Sequence, residues 1–404
     1  RVAAIQEHTV TSLILWLLFT TIFGACVGSF LNVVIYRLPR EKSLVSPPSA
    51  CPSCSTPIRF YNNIPLFSWL LLRGKCPDCK APISPRYFIV ELITSILFGG
   101  LYLCFFWFEY RSTGVAGVSP MDRFFTGGGW LFFLVNITLI ATFLAASAID
   151  MELWIIPLEL CWFVTLVGLI GSAIAGFFIG SDTVLEFDVF PTAANRSTFA
   201  AITVGGLIGL ISSLIGLFTG IIKPSYEMAE DEEGDCEEAV KPKENEPEFN
   251  DRLEIMKEIV FLLPVVIGAI VAVQITRMPA VAEKWGNFIA LPVVSGLLGS
   301  AGGYLAGCAV VWATRVFGTL AFNKEAMGLG DVHLMGAAGV VIGAKWVVLA
   351  FFIAPFFGIL WALYQAIFKK MRQIPYGPFL SMAVFAVIIF HDWLQRMLSN
   401  IYGI

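Results

Sequence analysis

Runs of about twenty consecutive apolar residues recur along the chain, and they restrict the fold more than any other feature. A run of that length can cross a bilayer as a helix, because a helix satisfies its backbone hydrogen bonds internally. The composition agrees, with 57% apolar residues, 14% charged residues and a mean hydropathy of +0.79. The sequence therefore predicts an all-α polytopic membrane protein with about 8–10 transmembrane helices. The candidate spans are 11–35, 88–108, 130–149, 158–180, 198–222, 259–276, 288–314, 346–368 and 378–395, with a shorter apolar piece at 334–344.

Lysine and arginine residues in the loops predict the orientation, because cytoplasmic loops carry an excess of both. The loop at 36–87 holds eight of them, namely Arg37, Arg40, Lys42, Arg59, Arg73, Lys75, Lys80 and Arg86. We therefore expect this loop in the cytoplasm and the N-terminus outside. Counting spans onward puts Asp150, residues 223–258 and Asp331 on the cytoplasmic side as well. We also expect the basic residues that follow the span 346–368 to be cytoplasmic. This requires the short piece at 334–344 to cross the membrane as well.

Residues 223–258 differ in composition from the rest of the chain, with 14 acidic and 5 basic side chains. Few apolar residues and strong like-charge repulsion predict a disordered cytoplasmic insertion. The alternative is an electrostatic lure for basic segments of a substrate. The net charge of −4 is therefore an average over two unlike regions. We expect the lipid bilayer, and no nucleic acid, as a partner of this chain.

Four cysteines form two closely spaced pairs, Cys51 with Cys54 and Cys76 with Cys79, and 21 residues separate the pairs. Two short chelating turns deliver four thiolates to the corners of a tetrahedron, which is what a structural zinc site requires. Two disulfides or a redox pair are the alternatives, and a cytoplasmic location disfavours stable disulfides. A closed four-thiolate site stabilises a fold and does no chemistry. The other cysteines, which we interpret mostly as small core residues, are Cys26, Cys104, Cys161, Cys236 and Cys308.

Two aspartates stand at the edges of apolar runs, where an ionisable group is costly and therefore a functional candidate. Asp150 ends one run, and Asp331 follows Gly328 and Gly330 in the stretch "GLGD". The glycines are expected to let the backbone leave regular helix and a substrate approach. A pair of close carboxylates shares one proton and can activate water against a peptide carbonyl. The alternative is that each aspartate caps a helix or pairs with a lysine. His333, two residues after Asp331, is expected to be its polar neighbour.

Five ordered motifs resemble the bacterial type IV prepilin peptidases, also called prepilin leader peptidase/N-methyltransferases, which are GxGD aspartic proteases. They are "GSFLNVVIYRLP" (28–39), the four-cysteine stretch continuing to "ISPRYFIVEL" (83–92), "AIDMELWIIP" (148–157), "AMGLGDVHLMGAAG" (326–339) and "IPYGPFLSMA" (374–383). Three positions depart from the family pattern, with His333 in place of a lysine, Phe88 in place of a proline and Leu158 in place of an acid. The chain is also longer than usual at 109–129, 181–197 and the acidic insertion. These departures affect the expected substrate preference more than the expected reaction.

The resemblance implies an enzyme of the bacterial inner membrane that works in type IV pilus or type II secretion systems. It implies cleavage of prepilin or pseudopilin precursors after a glycine on the cytoplasmic side, with Asp150 and Asp331 as the catalytic pair. It also implies methylation of the new N-terminal residue from S-adenosylmethionine. No glycine-rich dinucleotide fingerprint is present, so Lys75, Arg86 and Glu91 in and beside the cysteine loop are the candidates for that site. Glu91 is equally interpreted as an acid favoured at a helix N-terminus.

Other classes of protein compete with this interpretation. A presenilin-like intramembrane protease also uses GxGD but cuts inside a helix. A proton- or cation-coupled transporter would use the two carboxylates as ligands, and a zinc-stapled assembly factor would not need them. The predicted division of the chain is a first helix (1–35), a cytoplasmic zinc domain (36–87), helices carrying the first aspartate (88–222), the acidic insertion (223–258) and helices carrying GxGD (259–404).

Overall fold

The structure is a computed structural model that describes residues 2–108, 129–178, 191–193, 196–222, 251–368 and 375–402. Within these ranges helices are the main regular structure, the cysteine loop is largely irregular, and the only β-type pairings are two isolated bridges. The helices are α1 (Val2–Arg37), α2 (Phe67–Leu71), α3 (Pro85–Tyr102), α4 (Gly129–Leu153), α5 (Leu158–Phe178), α6 (Ser197–Phe218), α7 (Asp251–Thr276), α8 (Pro279–Ile289), α9 (Pro292–Phe322), α10 (Leu329–Ile342), α11 (Ala344–Phe368), α12 (Gly377–Ile389) and α13 (His391–Tyr402). A π-helical turn, Leu103–Trp107, extends α3.

Eight helices in the described part of the chain are long and apolar enough to cross a membrane, or nine if α12 and α13 form one bent span. The predicted all-α, multi-pass architecture is confirmed. The predicted span at 378–395 is not one straight helix, because the chain bends by 80° between α12 and α13. The span predicted to begin at residue 288 begins at Pro292 as α9, because residues 288 and 289 belong to the separate helix α8. The segment 223–250 and most of the loops at 109–129 and 181–197, with Cys236, lie outside the described residues.

Burial separates central helices from peripheral ones. In α4, which carries Asp150, 72% of the most apolar window is buried inside the protein, compared with 6% in α7. The helix α10, which carries Asp331, has 14 residues and is therefore about 21 Å long. Most of its side chains are buried, since α10 packs against α4, α5, α9, α11 and α12. Both aspartates therefore lie on central helices.

Glycines allow the central helices to approach at backbone distance. A Cβ added at Gly303 of α9 would lie 2.0 Å from the carbonyl oxygen of Gly339 of α10, and the reverse distance is also 2.0 Å. At Gly307 an added Cβ would lie 2.1 Å from the carbonyl oxygen of Met335. Small residues at helix interfaces are typical of membrane proteins, where close packing replaces the hydrophobic drive. The position of α10 is therefore set by direct backbone contact with α9.

Candidate active site

Asp150 lies in the last turn of α4 and its side chain is almost completely buried. Its carbonyl accepts a hydrogen bond from Trp154 N at 3.0 Å, and Trp154 has a left-handed φ of 59° that ends the helix. The carboxylate oxygen Oδ2 accepts a hydrogen bond of 3.1 Å from the backbone N–H of Gly377, the first residue of α12. Asp150 is thus fixed by a backbone donor from a segment 227 residues away.

Asp331 lies in the first turn of α10, where the helix dipole favours a negative charge. Gly328 is the N-cap residue of this helix, and its backbone N–H donates to the Asp331 carboxylate. An acid that reaches back to the N-cap N–H is half of a capping box. Asp331 therefore does cap α10, as the structural alternative expected, and this contact also orients its carboxylate.

The two aspartates come together at one end of the helix bundle. Asp150 and Asp331 interact electrostatically, and their helices α4 and α10 pack against each other and against α12. The side chain of Ile156 lies between these segments, with Cβ 2.9 Å from a Cβ added at Gly330 and Cδ1 3.2 Å from one added at Gly377. Burial and then the negative charge of Asp331 raise the pKa of Tyr376 to about 12. Two close carboxylates of this kind can share one proton.

The two glycines of GLGD differ from the expectation. Gly330 is inside regular α10 helix, and a side chain there would meet Ile156. Gly328 has φ −72° and ψ 150°, which any residue adopts, and an added Cβ would meet no protein atom closer than Asp331 Oδ2 at 3.6 Å. Gly330 therefore allows close packing next to the aspartates, while Gly328 is exposed and an added Cβ there would make only ordinary contact with Asp331. His333, which was expected to be a polar neighbour of Asp331, has the Tyr304 hydroxyl as a hydrogen-bond partner, 3.1 Å from Nδ1.

The segment between α9 and α10 is anchored by a buried arginine that the sequence did not single out. Arg315 of α9 is completely buried and pairs with Glu258 of α7, Nη2 to Oε1, at 3.0 Å. It also pairs with Glu325 at 2.5 Å and donates from Nη1 to the carbonyl of Met327. An arginine within an apolar run is a signal that could have found it. Its contacts end one residue before Gly328.

The four cysteines Cys51, Cys54, Cys76 and Cys79 lie together, with all Sγ atoms within 4.8 Å of one another. Cys51 Sγ is 3.8 Å from Cys79 Sγ. Zinc–sulfur bonds of about 2.3 Å put the corners of a tetrahedron roughly 3.8 Å apart, so the cluster could hold a zinc ion. Hydrogen bonds with Thr56 lower the pKa of the Cys54 thiol to about 6, which favours the thiolate that a metal needs.

The three candidates for methyl transfer already have contacts within the protein. Glu91 Oε2 accepts a hydrogen bond of 2.8 Å from the backbone N–H of Leu66 in the cysteine loop. Arg86 Nη1 lies 2.5 Å from an oxygen of Glu152, two residues after Asp150. Lys75 forms an isolated backbone bridge with Pro82. These contacts connect the cysteine loop, α3 and the end of α4.

Comparison with known proteins identifies the family. The profile described as Bacterial Peptidase A24 N-terminal domain matches residues 22–105, and the Type IV leader peptidase family matches residues 258–363. The first range contains the four cysteines, and the second contains Asp331. Asp150 lies between the two ranges.

Relatives with assigned names agree. A "Prepilin leader peptidase/N-methyltransferase" of Neisseria gonorrhoeae is 31% identical over 243 residues, which is 50% of this chain and 80% of that protein. A Myxococcus xanthus protein of the same name is 38% identical over 169 residues, 42% of each chain, so the match spans less than half of that relative. No solved structure matches the chain. From the two profiles and the coverage of the Neisseria protein, we conclude that the chain belongs to the prepilin leader peptidase/N-methyltransferase family.

Proposed function

We propose that this protein is a membrane aspartic endopeptidase that removes the leader of type IV prepilin or pseudopilin precursors after a glycine. We further propose that it works in the inner membrane with its active site at the cytoplasmic face. The observation that carries the proposal is the meeting of Asp150 and Asp331, two buried acids from different helices that interact electrostatically. Membership of the family supplies the class of substrate.

The proposed reaction uses one proton shared by the two carboxylates. The ionised member takes a proton from a water molecule, and the protonated member donates a hydrogen bond to the scissile carbonyl. The water then attacks the carbonyl carbon and gives a tetrahedral intermediate. This intermediate collapses when the C–N bond breaks and a carboxyl group of the pair gives a proton to the departing amine. The N–H of Gly377 holds the Asp150 carboxylate, and the N–H of Gly328 holds that of Asp331. Both acids are therefore oriented before the substrate arrives.

The cysteine loop has a structural role in this proposal. The thiolates of Cys51, Cys54, Cys76 and Cys79 would hold one zinc ion, which stabilises the loop as a closed site and leaves no open position for substrate. The Leu66 N–H to Glu91 contact ties the folded loop to α3. The Arg86 to Glu152 ion pair then ties α3 to the turn that carries Asp150.

A second activity, methylation of the new N-terminal amine, is proposed from the names of the relatives. S-adenosylmethionine would supply the methyl group. Glu91 and Arg86 are engaged by Leu66 and Glu152, so they do not form a free set of ligands with Lys75.

The test is cleavage of a prepilin by the purified protein, with mass spectrometry of the mature N-terminus. We expect a cut after the leader glycine, and we expect Asp150→Asn and Asp331→Asn each to abolish it while zinc content and thermal stability are kept. The matched control is Glu283→Gln. Glu283 is an exposed acid on α8, which follows α7 at the end opposite to Glu258.

Other outcomes separate the competing classes. A cut inside the hydrophobic segment of the substrate would favour a presenilin-like protease. Cleavage by either asparagine variant would refute the aspartate pair. Absence of cleavage by the folded parent protein would refute the peptidase and leave a transporter or an assembly factor.

A further inference from the structure

Arg315 is a charged side chain buried inside the helix bundle, and two sets of partners surround it. One set is on α7, where Glu258 is only 2% exposed. Arg315 Nε and Nη2 each lie 3.0 Å from Glu258 Oε1, and Trp312 Nε1 donates to Glu258 Oε2 at 2.6 Å. Both oxygens of this carboxylate are therefore hydrogen-bonded, and the guanidinium is held in one orientation.

The other set of partners is the connection from α9 to α10. Arg315 Nη1 reaches Glu325 Oε1 at 2.5 Å and also donates to the Met327 carbonyl. Thr319, one turn further along α9, accepts a hydrogen bond of 3.2 Å from Ala326 N. Three consecutive residues of the connection are thus fixed by two side chains of the same face of α9.

The chain leads directly from these contacts to Asp331. Met327 immediately precedes Gly328, the N-cap of α10, and Asp331 is in the first turn of that helix. The position of the N-cap decides where the first turn begins, and therefore where the carboxylate of Asp331 points. The N-cap N–H itself donates to that carboxylate. A shift at Met327 would therefore be passed to Asp331.

We propose that Arg315 is a positioning residue for the aspartate pair. It fixes residues 325–327 and therefore the start of α10, and Glu258 holds its guanidinium in place. The inference rests on the proposed peptidase function. Arg315 does not contact substrate in this proposal and acts through Met327 and Gly328.

Stability alone does not account for this cluster. A buried ion pair is expensive to desolvate, and a well-packed apolar pair of similar volume often holds two helices together as well or better. An apolar side chain would, however, donate nothing to the Met327 carbonyl or to Glu325. The guanidinium supplies several donors in one rigid plane, which lets it bridge α7 and the connection at the same time.

The experiment separates positioning from folding with a double variant. Arg315→Met alone leaves the Glu258 charge buried and unpaired, so it lowers thermal stability. Arg315→Met combined with Glu258→Gln removes both charges but keeps a side-chain oxygen that can accept from Trp312 Nε1, so this double variant is expected to melt close to the parent protein. Its kcat for prepilin cleavage should nevertheless fall about 100-fold with KM unchanged, since a misplacement near 1 Å can cost that much. The control is Arg277→Met, an exposed arginine at the end of α7.

Hydrogen–deuterium exchange of the backbone at 323–331 supplies a readout that does not depend on activity. We expect faster exchange there in the double variant and no change in the Arg277 control. Arg315→Lys keeps a charge opposite Glu258 but cannot bridge both partners, so it should also lose kcat while folding. Parental kcat or parental exchange in the double variant would overturn the proposal. Loss of protection in this segment with no cleavage by the parent protein would instead refute the peptidase function and leave the anchoring by Arg315 standing.

Discussion

Gly377 offers the most direct test of how Asp150 is held. Its N–H donates to Asp150 Oδ2 at 3.1 Å, and a Cβ added at Gly377 would lie 2.6 Å from the same oxygen and 3.2 Å from Ile156 Cδ1. Gly377 does not have a positive φ, so alanine is compatible with its backbone. Gly377→Ala therefore displaces the carboxylate or the start of α12 and changes little else.

The size of the effect follows from these distances. A carbon and an oxygen at 2.6 Å must separate by about 0.8 Å to reach an ordinary van der Waals contact of about 3.4 Å. That shift weakens a hydrogen bond to a charged acceptor, and such bonds contribute about 1.5–3 kcal/mol. If the loss falls on the transition state, kcat decreases about ten- to a hundredfold. We expect KM to change little, because Gly377 supports a catalytic group and not the bound leader.

The assay is the initial rate of prepilin cleavage by the purified variant under saturating substrate, with thermal unfolding measured on the same samples. The control is Gly358→Ala on α11, where an added Cβ would meet Phe379 Cδ2 at an ordinary 3.7 Å. If Gly377→Ala cleaves as fast as Gly358→Ala, the contact between Gly377 and Asp150 does not set the geometry of the reaction.

The cysteine cluster, the contact between Gly330 and Ile156 and the acidic insertion can each be tested by one variant. Reduced, chelator-free protein should contain about one zinc per chain. Cys54→Ser should lower the zinc content and Tm, whereas Cys26→Ser, at an exposed cysteine, should change neither. An unchanged zinc content in Cys54→Ser would contradict the zinc site. Gly330→Ala should slow cleavage because its Cβ would lie 2.9 Å from Ile156 Cβ, and adding Ile156→Gly, which removes that Cβ, should restore the rate. A double variant as slow as the single one would exclude this contact as the cause. Excision of residues 227–250 should leave kcat unchanged, because no aspartate of the pair and no cysteine of the cluster lies there; inactivity of a well-folded deletion would show a catalytic role.

Hydropathy predicted most helices well, because a run of apolar residues is itself the physical requirement for crossing lipid. The span predicted at 346–368 is helix Ala344–Phe368, for example. The 80° break before His391 was not predicted, since neither proline nor glycine marks it. The ring of His391 lies 4.3 Å from that of Trp346 on another helix. Such a bend depends on tertiary contacts that a local pattern does not contain.

Charges inside helices were missed for a related reason. The predicted spans began at 259 and ended at 314, so each stopped one residue short of Glu258 or Arg315. A hydropathy scale scores each charge alone, whereas in the structure the two side chains pair at 3.0 Å within helices α7 and α9. Pairing across 57 residues is a property of the fold, and it is what makes both charges tolerable at that depth.

The candidate site was predictable where side chains carry it and not where the backbone does. Asp150 and Asp331 stood out as acids at the edges of apolar runs, and the structure brings them to the same end of the bundle. The donor to Asp150 is the N–H of Gly377, which any residue except proline possesses. The sequence "IPYGPFLSMA" marked the segment by resemblance, but nothing in its composition shows that its backbone completes the site.

The backbone contact between α9 and α10 restricts how this sequence can drift over evolutionary time. In most protein cores a larger side chain on one helix can be compensated by a smaller one on its neighbour. At Gly303 and Gly339 this route is closed, because each position faces the carbonyl of the other and both residues are already glycine. Substitutions accepted near Asp331 must therefore occur at other positions of these helices. The distance between α9 and α10 should stay constant while the rest of their sequence changes.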